Sequence, residues 1–343
     1  QTTGAALDFS TGKPEVINCI FFENEVSAIG SAANADAAPL ITGCTFSANV
    51  VGNTNRPQVN LGPSSADTSF VINNVFQGSE TLTNVGGFAF SLLAGGEGHV
   101  VFEDNTVFDN RYGMTIFGAN VTSLIQNNVF LNNDTQGDPM LGGSGISITG
   151  FGENEHVILG NSFTGNLWGI TLLTEAQANL GEIDNPGIGP GDNFFDNNGN
   201  GGEIFALFNN TENEIFAQGN CWIAGDEDLT LEEAEGVISH VVDDPALGEV
   251  IFDPLGSCST VGTRDENALN FELYPNPSTG NITIETREEI NRIEVYDLKG
   301  RLMKSFLPQG RRNFDFSEFD AGIYLIKVYS ESSIGTNKLL LTH

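Results

Sequence analysis

Apolar and polar positions recur in a fixed order along the first 258 residues. An aromatic residue returns at spacings of 22 to 33 residues, and in most copies an asparagine stands two positions before it. Five copies carry both residues: Asn74-Val-Phe76, Asn128-Val-Phe130, Asn161-Ser-Phe163, Asn193-Phe-Phe195 and Asn220-Cys-Trp222. Three looser copies fill the same positions: Cys19-Ile-Phe21, Cys44-Thr-Phe46 and Thr106-Val-Phe108. A repeat of this length indicates that one structural unit is stacked several times.

Each copy follows a short run such as SFVINN or HVVFEDN, and most are followed by a second run such as GISITG. Period-two alternation, enrichment in Val, Ile and Phe, and Asn or Gly at the ends predict short β-strands. A single coil of such strands cannot bury its inner face, so the coils must stack. Equivalent positions then lie about 4.7–4.9 Å apart. We expect an interior aromatic stack and a structural ladder of amide side chains: Asn74, Asn128, Asn161, Asn193 and Asn220.

This repeat resembles the right-handed parallel β-helix family, the pectate-lyase-like architecture, over about residues 5–258. The resemblance implies an all-β fold of about eight coils in this region. A left-handed helix is disfavoured because no six-residue period is present, and a β-sandwich would not repeat at one position.

A cap is expected at residues 227–258, because solenoid ends must be covered. Thr230 and Glu233 predict a capping box. A short helix should follow, with one apolar face made of Leu231, Ala234, Val237, Ile238 and Val241. The helix should end before DDPALG, and EVIFDP should form a closing strand.

Charge divides the chain in two. Residues 1–258 hold three basic residues, Lys13, Arg56 and Arg111, against 33 acidic ones, a net charge of −30. Residues 259–343 hold ten basic and 12 acidic residues, a net charge of −2. We therefore predict a first domain at 1–258, a small polar linker at 259–268 and a second domain at 269–343. The first domain lacks the basic patch that nucleic acid requires, and the chain has no apolar run long enough for a transmembrane segment.

The second domain contains alternating runs that predict about seven short strands, hence a small Ig-like β-sandwich. Its stretches LYPNPSTGNITI, IEVYDLKGRLM, DAGIYLIKV and NKLLL resemble, in order, the type A C-terminal sorting domain of the type IX secretion system. The resemblance covers residues 268–343, and only the ending LTH departs from the usual pattern. The residues that carry the motif are Leu273, Tyr274, Pro275, Asn276, Pro277, Gly280, Tyr296, Gly300, Gly322, Tyr324 and Lys338.

This resemblance implies a Bacteroidota protein exported first across the inner membrane and then through the outer-membrane translocon. A surface sortase usually cleaves the domain, which leaves the cargo secreted or attached to the cell surface. The expected partners are therefore the translocon and the sortase.

Catalytic candidates in the first domain are sparse. Relatives of this shape include polysaccharide lyases, which need clustered basic residues, but Arg111 is the only basic residue near the middle of the repeats. Hydrolases need two carboxylates about 5–10 Å apart. Asp104, Asp109, Asp134 and Asp138 could be brought together by stacking, and Asp243-Asp244 lies in the cap. Solvated turn carboxylates are the simpler interpretation, so we assign no catalytic residue.

Histidines and acidic turns give no clear site. The four histidines are His99, His156, His240 and His343. His99 and His156 each open a predicted strand, two coils apart, and are interpreted as surface residues. The acidic turns 103–105, 132–138 and 225–230 could offer oxygen ligands to Ca²⁺, but no motif fixes a site, and we assign neither metal nor cofactor.

Four cysteines suit an exported protein. Cys221 and Cys258 flank the cap, and we favour a disulfide between them. Cys19 and Cys44 occupy the ladder position on successive coils, which allows either a bridge or two thiols. The chain starts at Gln1 without Met, and no N-terminal cap matches the C-terminal one, so we expect a processed product whose β-helix is truncated at that end.

These observations favour a secreted or cell-surface β-helix that acts as a binding or adhesive module, with glycans as the expected ligands. A polysaccharide lyase or hydrolase with unrecognised catalytic residues, or with a catalytic domain upstream, is the second hypothesis. A structural spacer is the third.

Overall fold

The computed structural model describes residues 4–93, 95–200 and 205–258 in the N-terminal part of the chain. In the C-terminal part it describes residues 269, 271–275, 278, 280–286, 288–296, 302–308, 310–319, 322–330 and 333–341. The chain divides into two compact units, Gln1–Ser259 and Thr260–His343.

Three parallel sheets build the first unit. Sheet A consists of β1 (Leu7–Gly12), β4 (Ile29–Ala37), β7 (Pro57–Leu61), β10 (Gly86–Leu92), β13 (Met114–Ala119), β16 (Ser144–Phe151), β19 (Trp168–Thr174), β22 (Leu207–Thr211) and β24 (Ile238–Ser239). Sheet B consists of β2 (Glu15–Ile17), β5 (Leu40–Thr42), β8 (Thr68–Ile72), β11 (Gly98–Glu103), β14 (Val121–Gln126), β17 (Glu155–Leu159), β20 (Ala178–Asn179), β23 (Ile215–Phe216) and β25 (Val250–Ile251). Sheet C consists of β3 (Ile20–Phe22), β6 (Thr45–Ser47), β9 (Val75–Gln77), β12 (Thr106–Phe108), β15 (Val129–Leu131), β18 (Ser162–Thr164) and β21 (Phe194–Asp196).

The chain visits the three sheets in turn, so each coil adds one strand to each sheet through most of the unit. Successive coils are in register: Phe102 of β11 lies beside Val71 of β8 and Ile125 of β14. Because strands alternate inward and outward residues, this register places the core position of one coil directly above that of the next. The predicted right-handed parallel β-helix is confirmed.

An aromatic stack runs through the interior beside sheet C. Ring centroids of Phe130 and Phe163 lie 5.2 Å apart, those of Phe163 and Phe195 5.0 Å, and those of Phe195 and Trp222 5.0 Å. The placement of Phe108 in this stack was wrong. Val107 occupies the inward position, opposite the flanking phenylalanines, and Phe102 of sheet B supplies the missing ring.

The C-terminal end of the β-helix carries the helix α1 (Leu231–Glu235) with the capping box of Thr230 and Glu233. The helix is shorter than the apolar pattern suggested. Ile238, which we placed on its apolar face, belongs to β24, the last strand of sheet A, where it pairs with Leu207. Its burial as a strand residue explains why it fitted an apolar helical face.

The second unit contains two antiparallel sheets among its described residues. One consists of β26 (Glu272–Tyr274), β27 (Asn281–Glu285) and β30 (Asn313–Asp315), and the other of β28 (Arg292–Tyr296), β29 (Leu302–Phe306), β31 (Gly322–Tyr329) and β32 (Ile334–Leu341). Ile284 and Phe314 of the first sheet share a core with Val295 and Ile326 of the second. Within the described parts of the chain, no helix has the length and apolar character needed to cross a membrane.

Candidate functional site

The first asparagine ladder lies at the corner where each coil enters sheet C. Asn128 is typical: its Oδ1 accepts hydrogen bonds from the backbone N–H of Asn105 at 2.9 Å and from the Asn105 Nδ2 at 3.1 Å. Its own Nδ2 donates to the backbone oxygens of Phe102 and Gln126 and to Asn161 Oδ1. The described members of the ladder are Asn74, Asn105, Asn128, Asn161, Asn193 and Asn220. All six are buried, so their amides serve the fold and offer nothing to a ligand.

A second ladder, which the sequence interpretation missed, lies at the corner where each coil leaves sheet C. It runs through Asn24, Asn49, Asn110, Asn133, Asn166 and Asn198, and Gln58 spans the gap between Asn49 and Asn110. The signal was present, because an asparagine five residues after the first one recurs in four copies, as in Asn128 and Asn133. Asn105 was also missed, since Val107 follows it in place of an aromatic residue.

The predicted carboxylate candidates take structural positions. Asp104 and Asp109 have φ angles of 54° and 55°, the left-handed conformation that the tight corners require. Burial raises the pKa of both Asp109 and Asp134, with smaller contributions from Glu80 to Asp109 and from Asp109 to Asp134. Asp138 lies in a turn, where its Oδ1 accepts the backbone N–H of Met140 at 3.0 Å.

The remaining charged candidates also support loops. Asp243 accepts the backbone N–H of His240 at 3.0 Å, and Asp244 that of Ala246 at 3.0 Å. The guanidinium of Arg111 donates to the backbone oxygen of Leu141 and to Asn55 Oδ1. Among the described residues, no three His, Cys, Asp or Glu side chains are placed to hold a metal ion together.

His99 and His156 lie on opposite faces of sheet B. The register pairs His99 with Thr122 and Thr122 with Glu155, whereas His156 pairs with Ser123. His99 therefore aligns with Glu155, and His156 is the next residue along the strand. Successive strand residues point to opposite faces of a sheet, so His99 points outward and His156 inward. The expectation of a surface His156 was wrong: it is fully buried, and its Nδ1 lies 2.9 Å from Ser123 Oγ. Burial lowers the pKa of His156 to about 3. His240 in the cap contacts Glu235 at 2.8 Å, and His343 lies outside the described residues.

A groove on the surface of the β-helix is the strongest candidate site. It follows the turns that lead from sheet A into sheet B on four successive coils and has a volume of about 680 Å³. We call it the axial groove; its lining residues are Gly96, Glu97, His99, Asn120, Thr122, Gly152, Glu153, Asn154, Glu155 and Gln177. A smaller depression shares Glu155 and Gln177 with it and extends to Asn213 and Glu214 on the next coil. Polar side chains from distant parts of the sequence thus meet along the direction of the helix axis.

Two phenylalanines flank the axial groove on the side of sheet A. The rings of Phe117 and Phe151 are 5.2 Å apart in an edge-to-face arrangement, and Phe117 is 38% exposed. A shallow pocket contains both rings and shares Gly96 and Asn120 with the axial groove. An apolar surface therefore adjoins the polar one.

Glutamates and one histidine set the electrostatics of the axial groove. Glu97, Glu153 and Glu155 contribute carboxylates, and its described lining includes neither lysine nor arginine. His99 Nδ1 lies 2.7 Å from Thr122 Oγ1, and its Nε2 lies 3.6 Å from Glu97. The groove thus combines neutral hydrogen-bonding groups with a negative potential.

In the second unit, motif residues occupy both core and turn positions. Leu273 and Tyr324 are buried, and Tyr274 is exposed before a cis peptide to Pro275. Gly280 has a φ of 134°, a conformation that strongly favours glycine. Tyr296, Gly322 and Lys338 lie in strands β28, β31 and β32. Asn276, Pro277, Gly300 and the predicted linker 259–268 lie outside the described residues.

Comparison with protein families finds a different family in each of the two units. Residues 12–181 match the right handed beta helix region, which defines the class of the first unit. Residues 272–342 match the secretion system C-terminal sorting domain. The chain is therefore a β-helix protein with a type IX sorting domain, secreted to the cell surface or the extracellular space. No curated protein matches it.

Proposed function

We propose that the β-helix is a binding module that holds a linear glycan in the axial groove. The observation that carries this proposal is the groove itself, which crosses four successive coils beside the Phe117–Phe151 pair. With the adjoining depression on the next coil, it spans about 20 Å at the spacing of stacked strands. That length suits an extended oligosaccharide lying along the helix axis.

The chemistry of the groove favours a neutral glycan over an acidic one. The side chains of Asn120, Thr122 and Gln177 supply amide and hydroxyl groups that complement sugar hydroxyls. The exposed ring of Phe117 offers an apolar surface to the C–H face of a sugar. Glu97, Glu153 and Glu155 would repel a uronate polymer, as would the net charge of −30 on residues 1–258.

The test is calorimetric titration of the full chain with neutral gluco-, xylo- and manno-oligosaccharides and with oligogalacturonate. We expect a neutral oligosaccharide to bind and Phe117→Ala to weaken it about 3–10-fold, the usual contribution of an aromatic contact. Phe70→Ala is the matched control, because Phe70 is 40% exposed on sheet B and does not line the groove. Equal weakening by both variants, or no binding by any glycan, would refute the proposal.

A polysaccharide hydrolase is the second candidate, because Glu97, Glu153 and Glu155 share the groove with His99. Paired carboxylates are the usual machinery of glycoside hydrolysis. Release of reducing ends from a bound glycan, lost in Glu155→Gln while binding persists, would favour this alternative. A spacer would show neither binding nor turnover.

The second part of the proposal concerns how the β-helix reaches the outside of the cell. We infer that residues 1–258 are the cargo, that residues 259–268 link them to the sorting domain at 269–343, and that a surface sortase separates the two. The motif order in the sorting domain supports a Bacteroidota source. Mass spectrometry of the protein recovered outside the cell would test the separation, since an intact C-terminus there would contradict it.

A further inference from the structure

The first asparagine ladder ends in two cysteines at the N-terminal end of the β-helix. Asn74 Oδ1 accepts the backbone N–H of Cys44 at 2.9 Å, which is the usual ladder bond. On the next coil the backbone N–H of Cys19 meets Cys44 Sγ at 3.4 Å. A thiol sulfur is a weak acceptor, and cysteine has no amide to donate in return. The ladder therefore loses its side-chain bonds where the two cysteines stand.

The first described coil is held by the next coil through strand pairing in all three sheets and through the Asn24–Asn49 bond of the second ladder. Strand β3 has a described partner on one side only, β6. The outward apolar side chains of this coil are exposed: Ile17 by 47%, Ile20 by 78% and Phe22 by 58%. Phe21 is stacked on Phe46 at 5.2 Å and is partly buried. A covalent link at this position would replace the missing amide bonds.

Geometry at the other end of the β-helix shows that adjacent coils suit a disulfide. Cys221 and Cys258 are bridged there with their Cα atoms 4.8 Å apart. Cys19 and Cys44 immediately precede the paired residues Ile20 and Thr45, so their Cα atoms take the inter-coil spacing of about 4.8 Å. Burial raises the pKa of Cys44, the backbone N–H of Cys19 opposes that rise, and the interaction with the Cys19 thiol adds to it, so the two thiols interact.

We propose that Cys19 and Cys44 form a second disulfide after export, which fastens the first described coil to the next. The oxidant is an external disulfide, of a protein or of glutathione. The thiolate of the half-buried Cys19 attacks one sulfur of that disulfide and releases the other as a thiol. The Cys44 thiolate then attacks Cys19 Sγ and releases the second thiol. The protein loses two protons and two electrons, and the external disulfide gains them.

Bridging breaks only weak contacts. In the reduced form described by the structure, Cys19 Sγ donates to the Ile17 oxygen at 3.3 Å, and Cys44 Sγ to the Thr42 oxygen at 3.4 Å. Thiol donors of this kind are poor, so their loss does not oppose the bridge appreciably. Closing a separation of 25 residues restricts the unfolded chain and stabilises the folded one.

The test is the intact mass of the full chain after equilibration with oxidised and reduced glutathione. The protein is unfolded and alkylated without reductant, then again after reduction. We expect no added alkyl groups before reduction and four after it, since the chain has four cysteines. Two alkyl groups before reduction, located at Cys19 and Cys44 by peptide mapping, would overturn the proposal. This measurement needs no variant and so does not depend on the folding of one.

Variants provide the second measurement. Cys19→Ser and Cys44→Ser should each expose one thiol and lower Tm by the same amount as the double variant, because each removes the same bond. Cys221→Ser with Cys258→Ser is the matched control, and it should still show no free thiol before reduction. Additive losses of Tm from the two single variants would contradict a shared bond.

Discussion

The two units of this protein differ in the kind of sequence pattern that identifies them. In the β-helix, one residue type recurs on most coils along two interior rows, the first asparagine ladder and the aromatic stack. In the sorting domain, strands β26–β32 share one small core, and the identifying motifs follow a set order along the chain. A solenoid is a sum of nearest-neighbour contacts, whereas a sandwich depends on a single core. The repeat therefore identifies the fold of the first unit, and the ordered motifs of the second unit identify the secretion route of the protein.

Removal of the sorting domain has the largest expected effect on this comparison. Deletion of residues 268–343 should abolish export, because the translocon reads this domain, while the β-helix should remain folded on its own core. Immunoblots of periplasmic and extracellular fractions measure the outcome. Gln177→Ala, a change in the axial groove, should leave export unchanged and serves as the control. Undiminished secretion of the deleted protein would contradict the assignment.

Acid should weaken the β-helix through His156. Its pKa is about 3 in the folded protein, against 6.5 for an exposed histidine, because burial disfavours the charged form. Between these values the unfolded chain binds a proton that the folded one does not, so stability falls as pH drops from about 6.5 to 3. The slope attributable to this group is about 1.4 kcal/mol per pH unit.

The measurement is urea unfolding of the wild-type chain and of His156→Gln across that pH range. The difference in unfolding free energy between the two should shrink or reverse as the pH falls, since glutamine does not titrate. His99→Gln is the control, because His99 lies on the outer face of the same sheet. A pH-independent difference between wild type and His156→Gln would show that the buried imidazole is not the titrating group.

Position within the ladder should decide the cost of losing an asparagine. Asn128 has ladder neighbours on both sides, and Asn128→Ala removes the acceptor of the buried Asn105 backbone N–H and of one N–H of the Asn105 side-chain amide. We expect a loss of roughly 3–5 kcal/mol, from more than one unsatisfied buried group. Asn24 is a described end of the second ladder and is only partly buried, so Asn24→Ala should cost about 1 kcal/mol or less. Equal losses would mean that the stack does not behave as a series of neighbouring contacts.

The fold was readable from the sequence because stacking imposes the same demand on every coil. Asn74, Asn128, Asn161 and Asn193 each donate to the amide oxygen of the next rung, and Asn220 accepts from Asn193, so the amide recurs visibly. Asn105 escaped notice because Phe102, from a different sheet, fills the interior beside Val107. Because Phe102 supplies the interior ring on this coil, no aromatic residue stands two positions after Asn105, and the sequence pattern is missing from that copy.

The axial groove could not be read in the same way. Many of its members come from turns whose lengths vary from coil to coil, such as 96–97 and 152–154, and no packing requirement makes them repeat. The orientation of His156 depended on the register between strands, which aligns Glu155 with Thr122 and His99 and so places His156 one residue further along the strand. The side chains that line the axial groove are brought together by the stacking of the coils, and the sequence alone does not show which turns lie side by side.

The smallest predicted effect concerns the cap at the C-terminal end of the β-helix. Thr230 Oγ1 accepts the backbone N–H of Glu233 at 3.3 Å, and the Thr230 N–H donates to Glu233 Oε2 at 2.9 Å. Thr230→Ala should lower the free energy of unfolding by about 1 kcal/mol, the usual contribution of a threonine N-cap, as measured by urea unfolding. Thr54→Ala, at an exposed loop position, is the matched control and should stay within about 0.5 kcal/mol. A loss as large as that of Asn128→Ala would contradict this ranking, because the cap would then contribute as much to the stability of the stack as a central asparagine of the ladder.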